Sequence, residues 1–294
     1  MSVEQARTFR SQAEGKQKGG MMSMFSGGPK YDEAADLYQK AANQFKLAKD
    51  WQSAADCFCS FAFCSAKAGM PSEESAGYVD AARCLKNISA SESVEWFEKA
   101  ASIYAAAGRF NQAAKIIKEM AEIFETSSNE KKALDYYQKA QDMFALDDHS
   151  KSQVTACALK RAEMLGEMDM FEESAQIFEQ EGDKAMLSPM LQFGARELYL
   201  KAGILYLAMG DAVSAKIACD RFHQKDPRFD GTRESTLLKG VTAAFADSDL
   251  DAFREKLAEY DQVSRLDNWK SKLLLKAVQK LESPDLGAQE VDLT

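Results

Sequence analysis

The chain has 294 residues, with 37 Lys and Arg against 46 Asp and Glu, which gives a formal net charge of −9. This acidic balance argues against a general nucleic-acid binder, which is normally basic, and a hydrophobic content of 46 % is too high for a disordered chain. No apolar run reaches the roughly 18 residues of a membrane-spanning helix, and residues 1–18 lack the apolar centre of a signal peptide. We therefore expect a globular, cytoplasmic protein.

Residues 1–30 are predicted to form an N-terminal arm that carries an apolar loop. Four large apolar side chains lie between two pairs of glycines, and they are Met21, Met22, Met24 and Phe25. Apolar residues between paired glycines do not belong to a stable helix. Because lysines flank the loop, one interpretation is a tip that dips into a lipid surface, where each buried side chain contributes about 1.5–3 kcal/mol. The alternatives are a disordered arm and an apolar plug packed on the first helices.

A degenerate repeat runs through residues 31–180. The pattern YDEAADLYQKAA, which begins at Tyr31, recurs as a small residue followed by apolar and aromatic residues one helical turn later. The small position falls at Ala34, Ala54, Ser75, Ser93, Ala113, Ala133 and Ser174, with a weaker copy at Gln153. A period of about 20 residues fits one helix and a short turn. The prediction is an all-α, tetratricopeptide-like solenoid of antiparallel helical hairpins, with helices longer than in the usual repeat.

After about Phe178 the period loosens, and residues 181–281 are predicted to form a C-terminal helical bundle. No sustained alternation of apolar and polar residues indicates a β-strand anywhere in the sequence. Residues 282–294 are acidic and have no base after Lys280, so they are predicted to form a disordered acidic tail.

Few residues are of the kinds that carry catalysis. The chain has 2 His and none of the nucleotide-binding, hydrolase or zinc-protease motifs. His149 beside Asp147 and Asp148 allows a metal site, but without a second ligand cluster a surface turn is the preferred interpretation. The cysteines of CFCSFAFC, beginning at Cys57, lack the paired spacing of a zinc site. We predict no enzymatic activity, no cofactor and no metal.

Basic residues recur near the junctions of the repeat units. On an acidic chain they form either a local positive stripe that faces an acidic partner or ordinary solvated helix faces, and the sequence leaves both interpretations open. These residues are Lys46, Lys49, Lys86, Arg109, Lys115 and Lys160.

Three segments carry a resemblance to a known family: FSGGPKYDEAADLYQKAANQFKLAKDW, AAGRFNQAAKIIKEMAEIFE and EYDQVSRLDNWKSKLLLKAVQK. They resemble the soluble NSF attachment proteins of the alpha type, and the similarity covers nearly the whole chain. The resemblance implies an adaptor, cytoplasmic and peripheral to membranes. Such an adaptor binds the SNARE four-helix complex of syntaxin-like, synaptobrevin-like and SNAP-25-like proteins. It recruits and stimulates NSF, an AAA ATPase that disassembles this complex, which supports vesicle fusion and intracellular membrane trafficking.

The resemblance also implies roles for individual residues. The apolar tip takes the membrane-contacting role, and the basic residues named above match the SNARE-binding groove, although Ala156 stands where animal members have Lys. The NSF-binding and stimulating positions are Asp211, Asp247, Glu290, Asp292 and Leu293. The alternative is a generic tetratricopeptide-like scaffold that binds peptides, such as a co-chaperone. The repeat pair of about 40 residues, the glycine-bracketed loop and the Asp–Leu tail favour the adaptor.

Overall fold

The structure is a computed structural model that describes residues 3–19 and 28–282. Within these ranges the chain forms fourteen α-helices joined by turns and short 3-10 segments, without a strand, which confirms the all-α prediction. The helices are α1 (Val3–Lys18), α2 (Tyr31–Leu47), α3 (Trp51–Lys67), α4 (Pro71–Leu85), α5 (Ala90–Ala106), α6 (Phe110–Thr126), α7 (Glu130–Ala145), α8 (Lys151–Glu167), α9 (Phe171–Met186), α10 (Ala195–Met209), α11 (Ala212–Lys225), α12 (Arg233–Ala246), α13 (Leu250–Val263) and α14 (Asn268–Glu282).

The chain divides into two compact units, Met1–Val154 and Thr155–Thr294. In the first unit, α1 to α7 pack mainly on the helices that precede and follow them in the chain, as expected for a solenoid. In the second unit, α10 packs against α9, α11, α12 and α14 and forms the centre of a bundle. The limits at residues 30, 180 and 281 rest on the repeat pattern and remain predictions. None of the helices in the described ranges is long and apolar enough to cross a bilayer.

The repeat pattern explains the packing of both units. Each of the small positions from Ala34 to Ser174, apart from the weak copy at Gln153, is at most 1 % exposed. Four residues further along each helix lies a large side chain facing the same core, since residues i and i+4 share one face of a helix. In five of the repeat units this side chain is aromatic and buried: Tyr38, Phe58, Phe97, Tyr137 and Phe178. Small residues therefore let neighbouring helices approach, and the aromatic rings fill the space between them.

The helix boundaries repeat with the same period. Four of the five turns between α2 and α7 contain a residue with positive φ, at Lys49, Gly69, Gly108 and Ser128. A left-handed residue after the last turn is a common helix ending, since it lets backbone N–H groups bond to the last carbonyls. Two of these residues are followed directly by a side-chain N-cap of the next helix. Asp50 accepts a hydrogen bond from the Ser53 N–H (3.2 Å), and Asn129 accepts one from the Lys132 N–H (3.4 Å).

Helix α1 occupies most of the region predicted as an arm. Its Ala6 and Ala13 are fully buried in the core of the first unit. The Tyr38 hydroxyl of α2 donates a hydrogen bond to Gln17 Oε1 at 2.6 Å and secures the end of α1. The sequence did not predict this helix because its fully buried residues are small alanines and its larger apolar residues, Val3 and Phe9, are only partly buried, so the apolar periodicity is weak.

The first unit has two layers of helices. Side chains touch between helices two apart, as for Arg83 of α4 with Glu119 of α6 and Tyr136 of α7 with Glu98 of α5. The even-helix face is therefore made by α2, α4 and α6, and the odd-helix face by α3, α5 and α7. Because consecutive helices run in opposite directions, the turns after α2, α4 and α6 lie along one edge, called the α2–α3 edge. The turns after α1, α3, α5 and α7 lie along the other edge.

Candidate functional site

The even-helix face of the first unit carries a cluster of basic side chains around Glu119. Arg83 Nη2 lies 3.0 Å from Glu119 Oε2, and Lys86 Nζ lies 3.8 Å from Glu119 Oε1. Lys115 lies one helical turn before Glu119 on α6 and is exposed, and its ammonium has no ion-pair partner among the described residues. One base on α4, one at its C-cap and one on α6 therefore lie near a single carboxylate, so the cluster keeps a net positive charge.

Lys46 continues this cluster onto α2. Its Nζ lies 5.9 Å from the centroid of the Phe58 ring. Burial raises the pKa of Asp80 on α4, while the charges of Lys46 and Arg83 oppose that rise. Asp80 thus lies within the electrostatic reach of bases on two helices. Lys49 is exposed in the following turn, at the α2–α3 edge.

The remaining predicted groove residues lie elsewhere. Arg109 precedes α6 in the turn after α5, at the edge opposite to Lys49 and Lys86. Lys160 is half-exposed on α8 and belongs to the second compact unit, as does the exposed Ala156. The structure therefore brings Lys46, Lys86 and Lys115 to one face and adds Arg83, which the sequence analysis missed. The available clue was its spacing of three residues from Lys86, which places both on one side of α4.

In the second unit, Asp211 and Asp247 lie in two helix-connecting turns. Asp211 caps α11 and accepts a hydrogen bond from the Ser214 N–H at 2.8 Å, and hydrogen bonds from Ser214 hold the pKa of its carboxyl below the ordinary value. Asp247 is exposed after the last turn of α12. Asp249 caps the next helix, accepting from the Ala252 N–H at 2.9 Å, and Asp251 lies in the first turn of that helix. The turn before α13 is therefore strongly acidic.

Both acidic turns lie at the end of the second unit where α14 ends. A Cβ on Gly210, beside Asp211, would lie 3.8 Å from Lys280 Cδ in the last turn of α14. Arg254, in the first turns of α13, places its Nη2 2.9 Å from Oε1 of Glu282, the last described residue. We call this region the acidic end. The predicted tail residues Glu290, Asp292 and Leu293 lie outside the described residues.

A loop between α9 and α10 exposes large apolar side chains that the sequence analysis did not single out. Leu187, Met190 and Phe193 are 87 %, 89 % and 62 % exposed. Two guanidinium groups lie over the Phe193 ring, that of Arg196 at 5.5 Å and that of Arg228 at 6.0 Å. Arg228 Nη2 also donates to Gln192 Oε1 at 2.6 Å. The clue in the sequence was the short apolar run between Pro189 and Gly194, where the structure forms only a 3-10 turn.

The stem of the N-terminal apolar loop is closed by ion pairs. Glu33 of α2 accepts hydrogen bonds from Lys16 Nζ at 2.5 Å and Lys30 Nζ at 2.6 Å, and the Lys30 N–H donates to the Lys16 carbonyl at 3.2 Å. The two lysines lower the pKa of Glu33 to about 2. The predicted membrane-contacting residues Met21, Met22, Met24 and Phe25 lie outside the described residues.

The part of the chain that the structure describes contains no group of three or more His, Cys, Asp or Glu side chains that could hold a metal ion. Asp147 instead caps a short 3-10 turn, where its Oδ2 accepts from Ser150 Oγ at 2.6 Å and from Asn111 Nδ2 at 3.2 Å. The cysteines near Cys57 are free thiols, and burial raises the pKa of Cys57 to about 11. Both groups therefore have structural explanations.

The fold and its surfaces define a helical-repeat protein that presents charged patches at separate places. The family model for the soluble NSF attachment protein, SNAP, matches residues 4–282. The chain belongs to this family, which confirms the resemblance drawn from the sequence.

Curated relatives agree along the full length. The alpha-soluble NSF attachment protein of Vitis vinifera is 34 % identical over 293 residues, covering 100 % of this chain and 99 % of the relative. The protein of the same name from Mus musculus is 30 % identical and covers 96 % of each chain. The one from Saccharomyces cerevisiae is 31 % identical, covering 94 % of this chain and 96 % of the relative.

Solved structures are more distant. A tetratricopeptide repeat protein from Parabacteroides merdae aligns with a TM-score of 0.33 and 12 % identity, covering 93 % of this chain and 99 % of that one. At this distance the likeness carries no argument, and the fold rests on the helices described above.

Proposed function

We propose that the protein is an adaptor that binds assembled SNARE complexes and recruits and stimulates the NSF ATPase to disassemble them, in support of vesicle fusion and membrane trafficking. The observation that carries this proposal is the division of charge in a family member of net charge −9. Bases gather on the even-helix face of the first unit, and acids gather at one end of the second. An adaptor between two charged partners requires two such surfaces.

The even-helix face is the SNARE-binding surface in this proposal. Arg83 and Lys86 pair with Glu119, and Lys115 lies one helical turn before it, so positive charge is left for an acidic coiled coil. Charges at the rim of an interface mainly set the association rate and the orientation of the partners. Lys46 and Lys49 extend the surface, and Arg109 and Lys160 belong to the same proposed groove on the basis of the family resemblance.

The loop between α9 and α10 of the second unit offers a separate apolar contact for a protein partner. Met190 and Phe193 are exposed, and the guanidinium groups of Arg196 and Arg228 hold positive charge next to the ring. Apolar anchors beside arginines are typical of protein interfaces. Contacts of this kind persist at salt concentrations that screen the charges of the basic face.

The acidic end receives the ATPase. Asp211, Asp247 and the last turn of α14 lie together there, so the described bundle ends at Glu282 beside two acidic turns. The proposed tail contacts are Glu290, Asp292 and Leu293. The acidic end attracts a basic surface of the ATPase, while Leu293 is assigned to stimulation of ATP hydrolysis.

The N-terminal apolar loop makes the proposed weak contact with a membrane surface. Lys16 and Lys30 at its stem share the single carboxylate of Glu33, so the stem keeps a positive charge that favours an anionic leaflet. A weak lipid contact becomes effective when several adaptors act on one SNARE complex, because each bound copy raises the local concentration of the next tip. The protein is accordingly assigned to the cytoplasm and the membrane periphery, without an enzymatic activity of its own.

The test is SNARE disassembly by NSF and ATP with and without the purified protein. We expect disassembly only when the protein is present. A tetratricopeptide-like peptide-binding scaffold, the alternative, has no effect in this assay. Omission of ATP is the control, since binding alone must leave the SNARE complex intact.

A further inference from the structure

Two turns along the α2–α3 edge of the first unit expose an aliphatic side chain directly beside lysines. Leu47, the last residue of α2, is 73 % exposed and lies next to Lys46. Ile88, in the turn after α4, is 51 % exposed and lies two residues after Lys86. The third turn of this edge, after α6, carries only Ser, Thr and Asn at residues 126–129. Among the three turns of this edge, only the turns after α2 and α4 thus combine an exposed aliphatic side chain with lysines.

The spacing of these turns indicates the shape of the partner. One hairpin separates them, and helices pack about 8–10 Å apart, so Leu47 and Ile88 lie about 16–20 Å from each other. A continuous partner helix rises 1.5 Å per residue and covers that span with about 11–13 residues. A short loop does not reach both turns, whereas an elongated helical bundle does.

The charges around the two turns indicate the chemistry of the partner. Lys46 and Lys49 flank Leu47, and Lys86 joins the edge to the basic even-helix face through Glu119. An acidic helical surface with aliphatic side chains between its carboxylates complements this pattern in charge and in polarity. The strip formed by Leu47, Ile88 and their neighbouring lysines is also continuous with the surface assigned above to the SNARE complex.

We propose that Leu47 and Ile88 form a second, aliphatic line of contact along the α2–α3 edge that docks onto an acidic helical bundle. This inference rests on the proposed function, since the occupant it names is the assembled SNARE complex. The lysines attract the acidic bundle and set its orientation. The two aliphatic side chains then lose their exposure to water, which slows dissociation.

The experiment measures binding of the full-length protein to assembled SNARE complex, comparing wild type with the double variant Leu47→Ser, Ile88→Ser. We expect about tenfold weaker binding in the double variant, from partial burial of two aliphatic side chains. The fold-loss stays the same between about 0.1 M and about 0.5 M salt, whereas the loss caused by Lys49→Gln, Lys86→Gln shrinks as salt screens the charges. Leu146→Ser is the matched control, because Leu146 is 60 % exposed in a turn at the opposite edge.

Each other outcome overturns the inference. Equal binding by wild type and the double variant removes the aliphatic contact and leaves the proposed function intact. Loss of binding to anionic vesicles with unchanged SNARE binding assigns the strip to lipid. A change from dimer to monomer in sedimentation, with unchanged SNARE binding, assigns it to a second copy of the chain. If wild type itself fails to bind, the proposed function fails first.

Discussion

Reversal of the charge at Lys115 tests the basic face with little risk to the fold. Lys115 is exposed and has no ion-pair partner among the described residues, so the Glu side chain meets water rather than a buried neighbour. It adds one like-charge pair with Glu119, four residues later, which costs about 0.2–0.5 kcal/mol. Arg83 and Lys86 also lie close to Glu119 and offset part of that cost.

The effect on binding is larger than the effect on stability. An exposed ion pair contributes about 0.2–1 kcal/mol, and a reversal replaces attraction by repulsion of similar size. Lys115→Glu therefore weakens SNARE binding by about 0.4–2 kcal/mol, which is roughly 2- to 30-fold. The loss is expected mainly in the association rate and is expected to shrink with added salt.

The assay is titration of assembled SNARE complex at low and high salt, with thermal unfolding of each variant alongside. Lys139→Glu is the control, because Lys139 lies on the odd-helix face, 4.7 Å from the centroid of the Tyr136 ring. We expect normal binding by Lys139→Glu and an unfolding temperature for Lys115→Glu close to that of wild type. Equal loss of binding in both variants would refute the assignment of a specific basic face, because it would point to net charge alone.

Four further variants test the stem, the bundle, the acidic end and the tail. Glu33→Gln removes the acceptor shared by two lysines and is expected to speed hydrogen exchange at the end of α1. In wild type, the protection of the end of α1 against hydrogen exchange is complete above the ordinary carboxyl pKa of 4.5. This protection is lost as the pH falls toward the lowered pKa of Glu33, about 2. Gly203→Ala places a Cβ in steric overlap with Leu238 Cδ1 and is expected to lower the free energy of unfolding by about 1–3 kcal/mol in denaturant titrations. Asp211→Asn keeps an acceptor for the α11 cap and removes the charge, so ATPase stimulation at low salt falls while stability is retained. Leu293→Ala is expected to bind SNAREs normally and to stimulate ATP hydrolysis poorly.

For each of these variants, one outcome would contradict the prediction. The ion-paired stem is refuted if hydrogen exchange is unchanged in Glu33→Gln. It is also refuted if the protection of α1 in this variant still falls between pH 4.5 and 2. Gly194→Ala is the control for Gly203→Ala, since a Cβ there meets nothing within 4 Å, and equal effects refute the packing argument. Full stimulation by Asp211→Asn removes that carboxylate from the ATPase contact. Full stimulation by Leu293→Ala removes the tail assignment.

Short-range pattern was enough to predict the helical fold. The small positions from Ala34 to Ser174 and the large residues four positions later depend on spacing within one helix, and the structure confirms that they are buried. Helix α1 was not predicted because its fully buried residues, Ala6 and Ala13, carry little apolar surface, and Val3 and Phe9 are only partly buried. Apolar periodicity does not reveal a helix whose buried side chains are mostly small.

The surfaces were harder to predict because they depend on contacts between helices. The pairing of Arg83 with Glu119 joins residues that are 36 positions apart. Met190 and Phe193 are exposed because their loop does not pack against the hydrophobic core. Sequence spacing placed the lysines near the repeat junctions, but only the layered packing shows which of them share a face and which, like Arg109, lie at the other edge.

The most direct test of the central claim is the rate of SNARE disassembly by NSF and ATP as this protein is titrated into the reaction. We expect no disassembly without the protein and a rate that rises with its concentration. We also expect Lys115→Glu to shift this titration to higher concentration at low salt and to recover toward wild type at higher salt. Disassembly that proceeds equally well without the protein, or that never occurs with it, would contradict the adaptor function.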